Sequence, residues 1–269
     1  MPLLQAEQLI KGFGRRLVVK GADVRVESGR ITGLLGRNGA GKTTIFQMIV
    51  GLVKPDGGRI RLDDEDITGW ATDKRAKAGL TYLPQENSIF LKASVRDNLR
   101  LALELLPYAR RERGPAAQVL LDEFGLAALA DQRAYSLSGG ERRRLEIARA
   151  LTLKPKFLLL DEPFTGIDPL TIVEIQKILL KLKDRGIGIL ISDHNVRDTF
   201  KVTDRAVIID DGRILVEDTP EAVARHEGAR EKFLGREFTF GEEIPGAQDL
   251  GEASLSPSVS PRKNRNRKK

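Results

Sequence analysis

The sequence predicts an α/β protein built on a mostly parallel, doubly wound sheet. Three observations predict it. A glycine-rich segment, Gly36-Arg-Asn-Gly-Ala-Gly-Lys-Thr-Thr44, matches the phosphate-binding pattern G-x-x-x-x-G-K-[ST] and lies between a strand-like and a helix-like stretch. Further along, short apolar runs alternate with amphipathic helical stretches, the order that generates parallel βα units. The N-terminal stretches instead alternate apolar and polar residues, as antiparallel strands do.

Taken in order, Leu3 to Ile10 and Leu17 to Val26 read as antiparallel strands, with Arg59 to Leu62 as another, and together they predict a small β layer. Gly29 to Gly36 reads as a short strand and Lys42 to Val50 as a helix stopped by Gly51. From Ser94 to Phe124 the pattern turns helical, with Val95, Leu99, Ala102 and Leu106 on one face and a polar break at Pro107 to Pro115; this predicts an inserted helical subdomain, about 90–153. A helix over Gly139 to Leu153, a strand over Phe157 to Asp161 and a helix over Pro169 to Asp184 follow. Ile172, Ile175, Leu179 and Leu182 form the buried stripe of the last. A strand at Ile187 to Ser192, a short helix from Asn195 and a strand at Ala206 to Asp210 complete the pattern. Residues 241–269 turn to Gly, Ser and Pro and then to Arg, Lys and Asn, which predicts a disordered basic tail after a domain spanning 3–240. No internal repeat doubles the phosphate loop.

The chain has 269 residues and 41% hydrophobic content, enough for a packed core. Its longest apolar runs fall far short of the roughly 20 residues that span a bilayer, and its start lacks the basic-then-apolar pattern of a secretory signal. Without cysteine there are no disulfides and no thiolate metal site, which fits a cytoplasmic location. The net charge of +7 hints at nucleic acid until it is located: Arg262, Lys263, Arg265, Arg267, Lys268 and Lys269 carry +6, leaving +1 for the rest. A basic groove for nucleic acid is therefore not implied.

In the phosphate loop Gly36, Gly39 and Gly41, with Asn38 and Ala40 between them, let successive N–H groups and the next helix N-terminus point at phosphates. Lys42 would neutralise the β- and γ-phosphates, Thr43 would give a hydroxyl to Mg²⁺, and Thr44 a further hydroxyl or N–H contact. Phe157-Leu-Leu-Leu-Asp161-Glu162 puts two carboxylates at the exposed end of a buried strand. With a phosphate loop upstream, Asp161 reads as a Mg²⁺ holder acting through water and Glu162 as the general base for an attacking water. Ser138-Gly139-Gly140-Glu141 reads as a capping box opening a helix.

Taken together, the loop, the Leu137-Ser138-Gly139-Gly140-Glu141 segment and the Asp161-Glu162 strand end resemble the nucleotide-binding subunit of an ABC transporter. The resemblance implies a P-loop NTPase fold with a RecA-like core, an antiparallel β subdomain and a helical subdomain, and ATP and Mg²⁺ as ligands. It implies that Gln85, after Leu80-Thr-Tyr-Leu-Pro84, reaches the Mg²⁺ and the water and links the core to the helical subdomain. It implies that His194, after Ile189-Leu-Ile-Ser-Asp193, contacts the γ-phosphate, and that Asp168 in Gly166-Ile-Asp168 communicates across a dimer. Ser138 and Gly140 would face the γ-phosphate bound by a partner subunit, so the site needs a homodimer. Phe13 stands where the family stacks an aromatic on adenine, although a core role is equally open. His226 reads as a surface histidine.

The segments around the motifs narrow the resemblance. Tyr82-Leu-Pro-Gln-Glu-Asn-Ser-Ile-Phe90, Ser136 to Ala150 and Asp193-His-Asn-Val-Arg-Asp-Thr-Phe200 are similar to the ATPase of the lipopolysaccharide exporter, the LptB family, over roughly residues 3–240. That family implies two copies under two integral membrane permeases of the LptF/LptG kind. It also implies peripheral association at the cytoplasmic face of the inner membrane. Phe90 would line the groove that receives the permeases' coupling helices, unless it is buried beneath the helical subdomain. The ATPase of a branched-chain amino-acid importer shares the fold and chemistry, and only the flanking segments speak against it. A non-transport ABC ATPase acting on DNA or ribosomes would carry coiled coils, zinc modules or a second cassette. A non-hydrolysing module would not keep Lys42, Glu162 and His194.

Overall fold

The computed structural model describes residues 1–86, 88–106, 109–238 and 240. The 241–269 tail and its predicted disorder lie outside them. The N-terminal alternation produces β1 (Leu3–Phe13) and β2 (Arg16–Glu27), which pair antiparallel. They join β4 (Gly57–Leu62) and the two-residue β5 (Glu65–Asp66) in a four-stranded sheet of order β2-β1-β4-β5. Between them in sequence, β3 (Ile31–Leu35) leads through the phosphate loop into α1 (Lys42–Val50). Gly51, at φ 85°, closes that helix in the left-handed cap conformation.

After α2 (Thr72–Lys77) and β6 (Leu80–Leu83), the helical segment comprises α3 (Val95–Glu104), α4 (Arg110–Glu123) and α5 (Gly139–Leu151). Then come β7 (Phe157–Asp161), α6 (Pro169–Asp184), β8 (Gly188–Ser192), α7 (Val196–Phe200), β9 (Arg205–Asp210) and β10 (Arg213–Asp218). The second sheet has six strands in the order β10-β9-β3-β8-β7-β6, parallel except for the β9–β10 hairpin.

Both faces of this sheet are covered, and the side-chain alternation shows it. On β7, Leu158 and Leu160 belong to a core shared with α3 to α6, whereas Phe157 and Leu159 point into a core shared with α1 and the antiparallel layer. Ile189 and Ile191 of β8 follow the first set and Leu190 the second. A strand buried on both sides reads as an unbroken apolar run, as β7 does.

Three helical expectations need correction. The break after α3 is shorter than Pro107 to Pro115: α4 begins at Arg110 and contains Pro115. That proline is exposed and near the helix start, so the one backbone bond it removes leaves a carbonyl facing water. On α3 the buried residues are Val95, Asn98, Leu99 and Leu103, while Ala102 and Leu106 are half-buried. The asparagine takes the place of an apolar residue because it hydrogen-bonds the Phe90 backbone on both sides. The helix predicted to Leu153 ends at Leu151.

Candidate nucleotide site

The phosphate loop is held at its glycines by close neighbours. A Cβ on Gly36 would lie 2.3 Å from the Ile209 carbonyl oxygen, so β9 can pass only behind a glycine. Gly39 and Gly41 have φ of 80° and 108°, which side chains rarely adopt. Lys42 is buried and curls back over the loop, donating to the carbonyls of Gly36 (2.7 Å) and Arg37 (3.2 Å). Burial lowers its pKa, opposed by the charges of Glu162, Asp161 and Asp193. The three carboxylates thus help keep the buried amine protonated, and an ammonium held only by two loop carbonyls can turn to a phosphate placed in the loop.

Asn38, Gly39, Gly41, Lys42, Thr43 and Thr44 form one wall of a cavity of about 580 Å³, and Gln85, Glu162 and His194 form the other. Thus four separate segments meet where the sequence expects one site. Gly36 and Ala40 lie behind the loop and shape it: Ala40 is buried, and its carbonyl accepts from the Gly212 N–H at 3.1 Å. Asp161 is buried beneath the cavity, with Ser192 donating to one carboxylate oxygen and Tyr82 to the other at 3.3 Å. The Tyr82 phenol is pushed up in pKa, first by burial and then by Asp161, and so stays a donor. Glu162 adopts φ 48°, a left-handed conformation costly for a side chain, and is pinned by its N–H to the Ser192 carbonyl at 2.8 Å. Gln85 donates to its Oε2 at 2.9 Å, and His194 Nδ1 lies 3.5 Å from the same oxygen.

Thr165 and Val18 also line the cavity and were not singled out in the sequence. Thr165 donates to Glu162 Oε2 at 3.0 Å and sits 3.4 Å from His194 Nδ1. Its spacing three residues after Glu162, in a Pro-Phe-Thr turn, is the signal that could have found it. The buried Asp193, whose carboxyl burial pushes up, accepts from the Phe164 and Asn195 N–H groups and so fixes the chain on both sides of the site.

Ser138, Gly140 and Asp168 lie outside this cavity. Ser138 caps α5 as the capping box predicts: its hydroxyl accepts from the Glu141 N–H at 3.3 Å, and Glu141 accepts from the Ser138 N–H at 2.8 Å. Asp168 caps α6, accepting from the Thr171 N–H at 3.0 Å. Gly140 is required at their junction, because a Cβ there would meet Thr171 Cγ2 at 2.2 Å. Phe13 is 51% exposed, with Lys11 Nζ 5.5 Å from its ring centre, and does not line the cavity; it is not core. Phe90 is 54% exposed in a second cavity of about 540 Å³ formed with Leu101, Leu105 and Leu153, and the Arg149 guanidinium lies 5.5 Å from its ring centre. The reading of Phe90 as buried is thereby excluded. His226 is exposed and caps a short helical turn, its Nδ1 accepting from the Ala229 N–H.

A phosphate loop, the strand-end Glu162 and a histidine lining one cavity, with Asp161 buried next to Glu162 and the capped start of α5 outside that cavity, define an ATPase of the ABC class. The pattern of the ABC transporter family matches residues 19–165. The lipopolysaccharide export system ATP-binding protein LptB of Acidithiobacillus ferridurans is 50% identical over 236 residues, 88% of this chain and 98% of that protein. The protein of the same name from Haemophilus influenzae is 48% identical over 242 residues, 88% of this chain and 99% of its own. Among solved structures, the ADP conformation of MJ1267, an ATP-binding cassette of an ABC transporter, superimposes with a TM-score of 0.79 at 28% identity, covering 87% of this chain and 99% of that one. The chain belongs to the ABC transporter family and, within it, to the LptB group of ATP-binding proteins.

Proposed function

We propose that this chain is the ATP-hydrolysing subunit that powers extraction and export of lipopolysaccharide, working as a homodimer beneath two integral membrane permeases of the LptF/LptG kind at the cytoplasmic face of the inner membrane. The observation that carries the chemistry is the convergence of Lys42, Gln85, Glu162 and His194 on one cavity. The relatives named LptB support the cargo. We take 3–240 as the ATPase domain, with 90–153 as its helical subdomain. No helix among the described residues is long and apolar enough to cross a membrane, which suits a subunit that meets the bilayer through partners.

Lys42 and the loop N–H groups hold the β- and γ-phosphates, and Phe13 offers its exposed ring to the adenine. No group of three or more His, Asp or Glu side chains among the described residues could cage a metal. That fits Mg²⁺, which keeps several waters and takes few protein oxygens besides phosphate. Thr43, Gln85 and Asp161 offer such hard oxygens and would hold the ion, whose chemistry would be to neutralise charge developing on the phosphates. Glu162 takes the proton of the attacking water, and His194 holds the γ-phosphate. Ser138 and Gly140 of one subunit, with the positive end of α5, face the γ-phosphate of the other. Asp168 stands at the same surface beside Leu170, which is 82% exposed.

Glu162→Gln tests the chemistry: ATP binding is kept while turnover falls about 10²- to 10⁴-fold. Near-normal hydrolysis would remove Glu162 from this role. The cargo is tested by purifying the chain from its own membranes. Two permeases with large periplasmic domains support lipopolysaccharide export, whereas an amino-acid-binding protein with its permeases overturns it.

A further inference from the structure

The Thr165 hydroxyl makes its contacts on a turn that leaves it little freedom. The Glu162 N–H is bound by the Ser192 carbonyl, the Phe164 N–H by Asp193 Oδ2 at 2.9 Å, and the Phe164 ring is buried. The Thr165 N–H closes the turn on the Glu162 carbonyl at 3.4 Å. These main-chain and core contacts fix the backbone of the turn without the Thr165 side chain, which is exposed to the cavity. What the hydroxyl adds is a bond to Glu162 Oε2 at 3.0 Å, and Gln85 binds that same oxygen at 2.9 Å. Two donors on one carboxylate oxygen set the rotamer of a side chain that already sits on a strained backbone, and they direct the other oxygen, Oε1, away from them. On the function proposed above Gln85 also serves the metal and the water, which leaves the Thr165 hydroxyl as the donor dedicated to Glu162. The Thr165 hydroxyl has no other assigned partner than Glu162 and the neighbouring His194.

We propose that Thr165 is a positioning residue for ATP hydrolysis: its hydroxyl anchors Glu162 through Oε2 so that Oε1 faces the attacking water, and it keeps the base in register with His194. The inference rests on Glu162 being the base. A base displaced by a fraction of an ångström loses rate without loss of substrate affinity, because the group acts in the transition state.

The experiment uses the full chain with its membrane partners and compares Thr165→Val, which keeps the shape and removes the hydroxyl, with Thr165→Ser, which keeps the hydroxyl. Thr165→Val lowers kcat roughly tenfold, the scale of one lost hydrogen bond to a charged group. It leaves the KM for ATP, ATP binding and Tm near those of the wild type, and Thr165→Ser restores most of the rate. In a Glu162→Gln background, Thr165→Val adds nothing. An unchanged kcat in Thr165→Val, a proportional rise in KM, or a further rate loss in the Glu162→Gln background each overturns the proposal. If Glu162→Gln alone turns over normally, the reading of the base fails first, and that outcome is seen independently of any Thr165 variant.

Discussion

Gly36 and Phe90 stand for two ways a single residue matters here. At Gly36 the constraint is contact: the space a Cβ would need is held by the Ile209 carbonyl oxygen at 2.3 Å and Ile209 Cγ2 at 2.9 Å. Gly36→Ala must push β9 away from the loop, costing about 1–3 kcal/mol by overpacking and moving the phosphate-binding N–H groups. Thermal unfolding and a nucleotide titration should both register it; an alanine chain with normal Tm and affinity would mean that β9 yields freely. At Phe90 the constraint is exposure: a ring 54% open to solvent lines a cavity with Leu101 and Leu105, with the Arg149 guanidinium 5.5 Å from its centre. Phe90→Ala should weaken capture of the membrane subunits by about 2 kcal/mol, the scale of an aromatic interface anchor, while ATP binding by the isolated chain is unchanged. Co-purification that survives the substitution would put the coupling contact elsewhere.

At the scale of elements, helix ends decide how the catalytic loops are held. Arg75 on α2 is buried, and its guanidinium donates to the carbonyls of Met48 (2.8 Å) and Ile49 (2.6 Å) at the end of α1, and to those of Thr68 and Trp70. It satisfies the Ile49, Thr68 and Trp70 carbonyls and adds a second donor to the Met48 carbonyl, which also accepts from the Gly51 N–H, and so ties the phosphate-loop helix to the segment that leads to Gln85. Arg75→Met leaves several of them unpaired and should cost on the order of 3 kcal/mol. That is a fall of about 6–12 °C in Tm for a domain of this size. The α5 capping box responds to pH. The backbone N–H and hydroxyl of Ser138 hold the Glu141 carboxyl below its ordinary value. A depressed acid contributes stability above its unfolded value, near 4.5, and loses it as pH falls through the lower folded value. The Tm advantage of the wild type over Glu141→Gln should therefore be full at neutral pH and shrink below pH 4.5; a constant difference would mean the box carries no charge. The box itself was legible in the sequence, as were the doubly buried β7 and the stripe of α6, because each is local or periodic. Arg75, Thr165 and the Gly140–Thr171 contact were not, because their roles depend on which chain segments meet across the fold. Pro115 misled for the reverse reason: near a solvent-facing helix start it costs little.

For the whole molecule the observation that matters is that Ser138 lies apart from the cavity lined by Lys42, so the proposed composite site needs two chains. Lys42, Glu162 and His194 share one cavity, whereas Ser138 is exposed at the start of α5 and does not line it. A symmetric pair of chains can bring each Ser138 to the other's Lys42, which creates two composite sites related by a two-fold axis. This arrangement has a consequence that a self-contained site does not share. In a homodimer of Lys42→Ala, both composite sites lack the lysine; in a homodimer of Ser138→Arg, both have a bulky cation where the hydroxyl should face phosphate. Both variants are inactive alone. In a mixed dimer the two lesions fall in the same composite site, because the altered Lys42 of one chain faces the altered Ser138 of the other. The second site then combines an intact Lys42 with an intact Ser138. Dimers reassembled from the two inactive proteins should therefore recover part of the ATPase activity, and the recovered rate should follow the fraction of mixed dimers as the mixing ratio is varied. If each chain completed its own site, every chain in the mixture would still carry a lesion, and no ratio would restore hydrolysis.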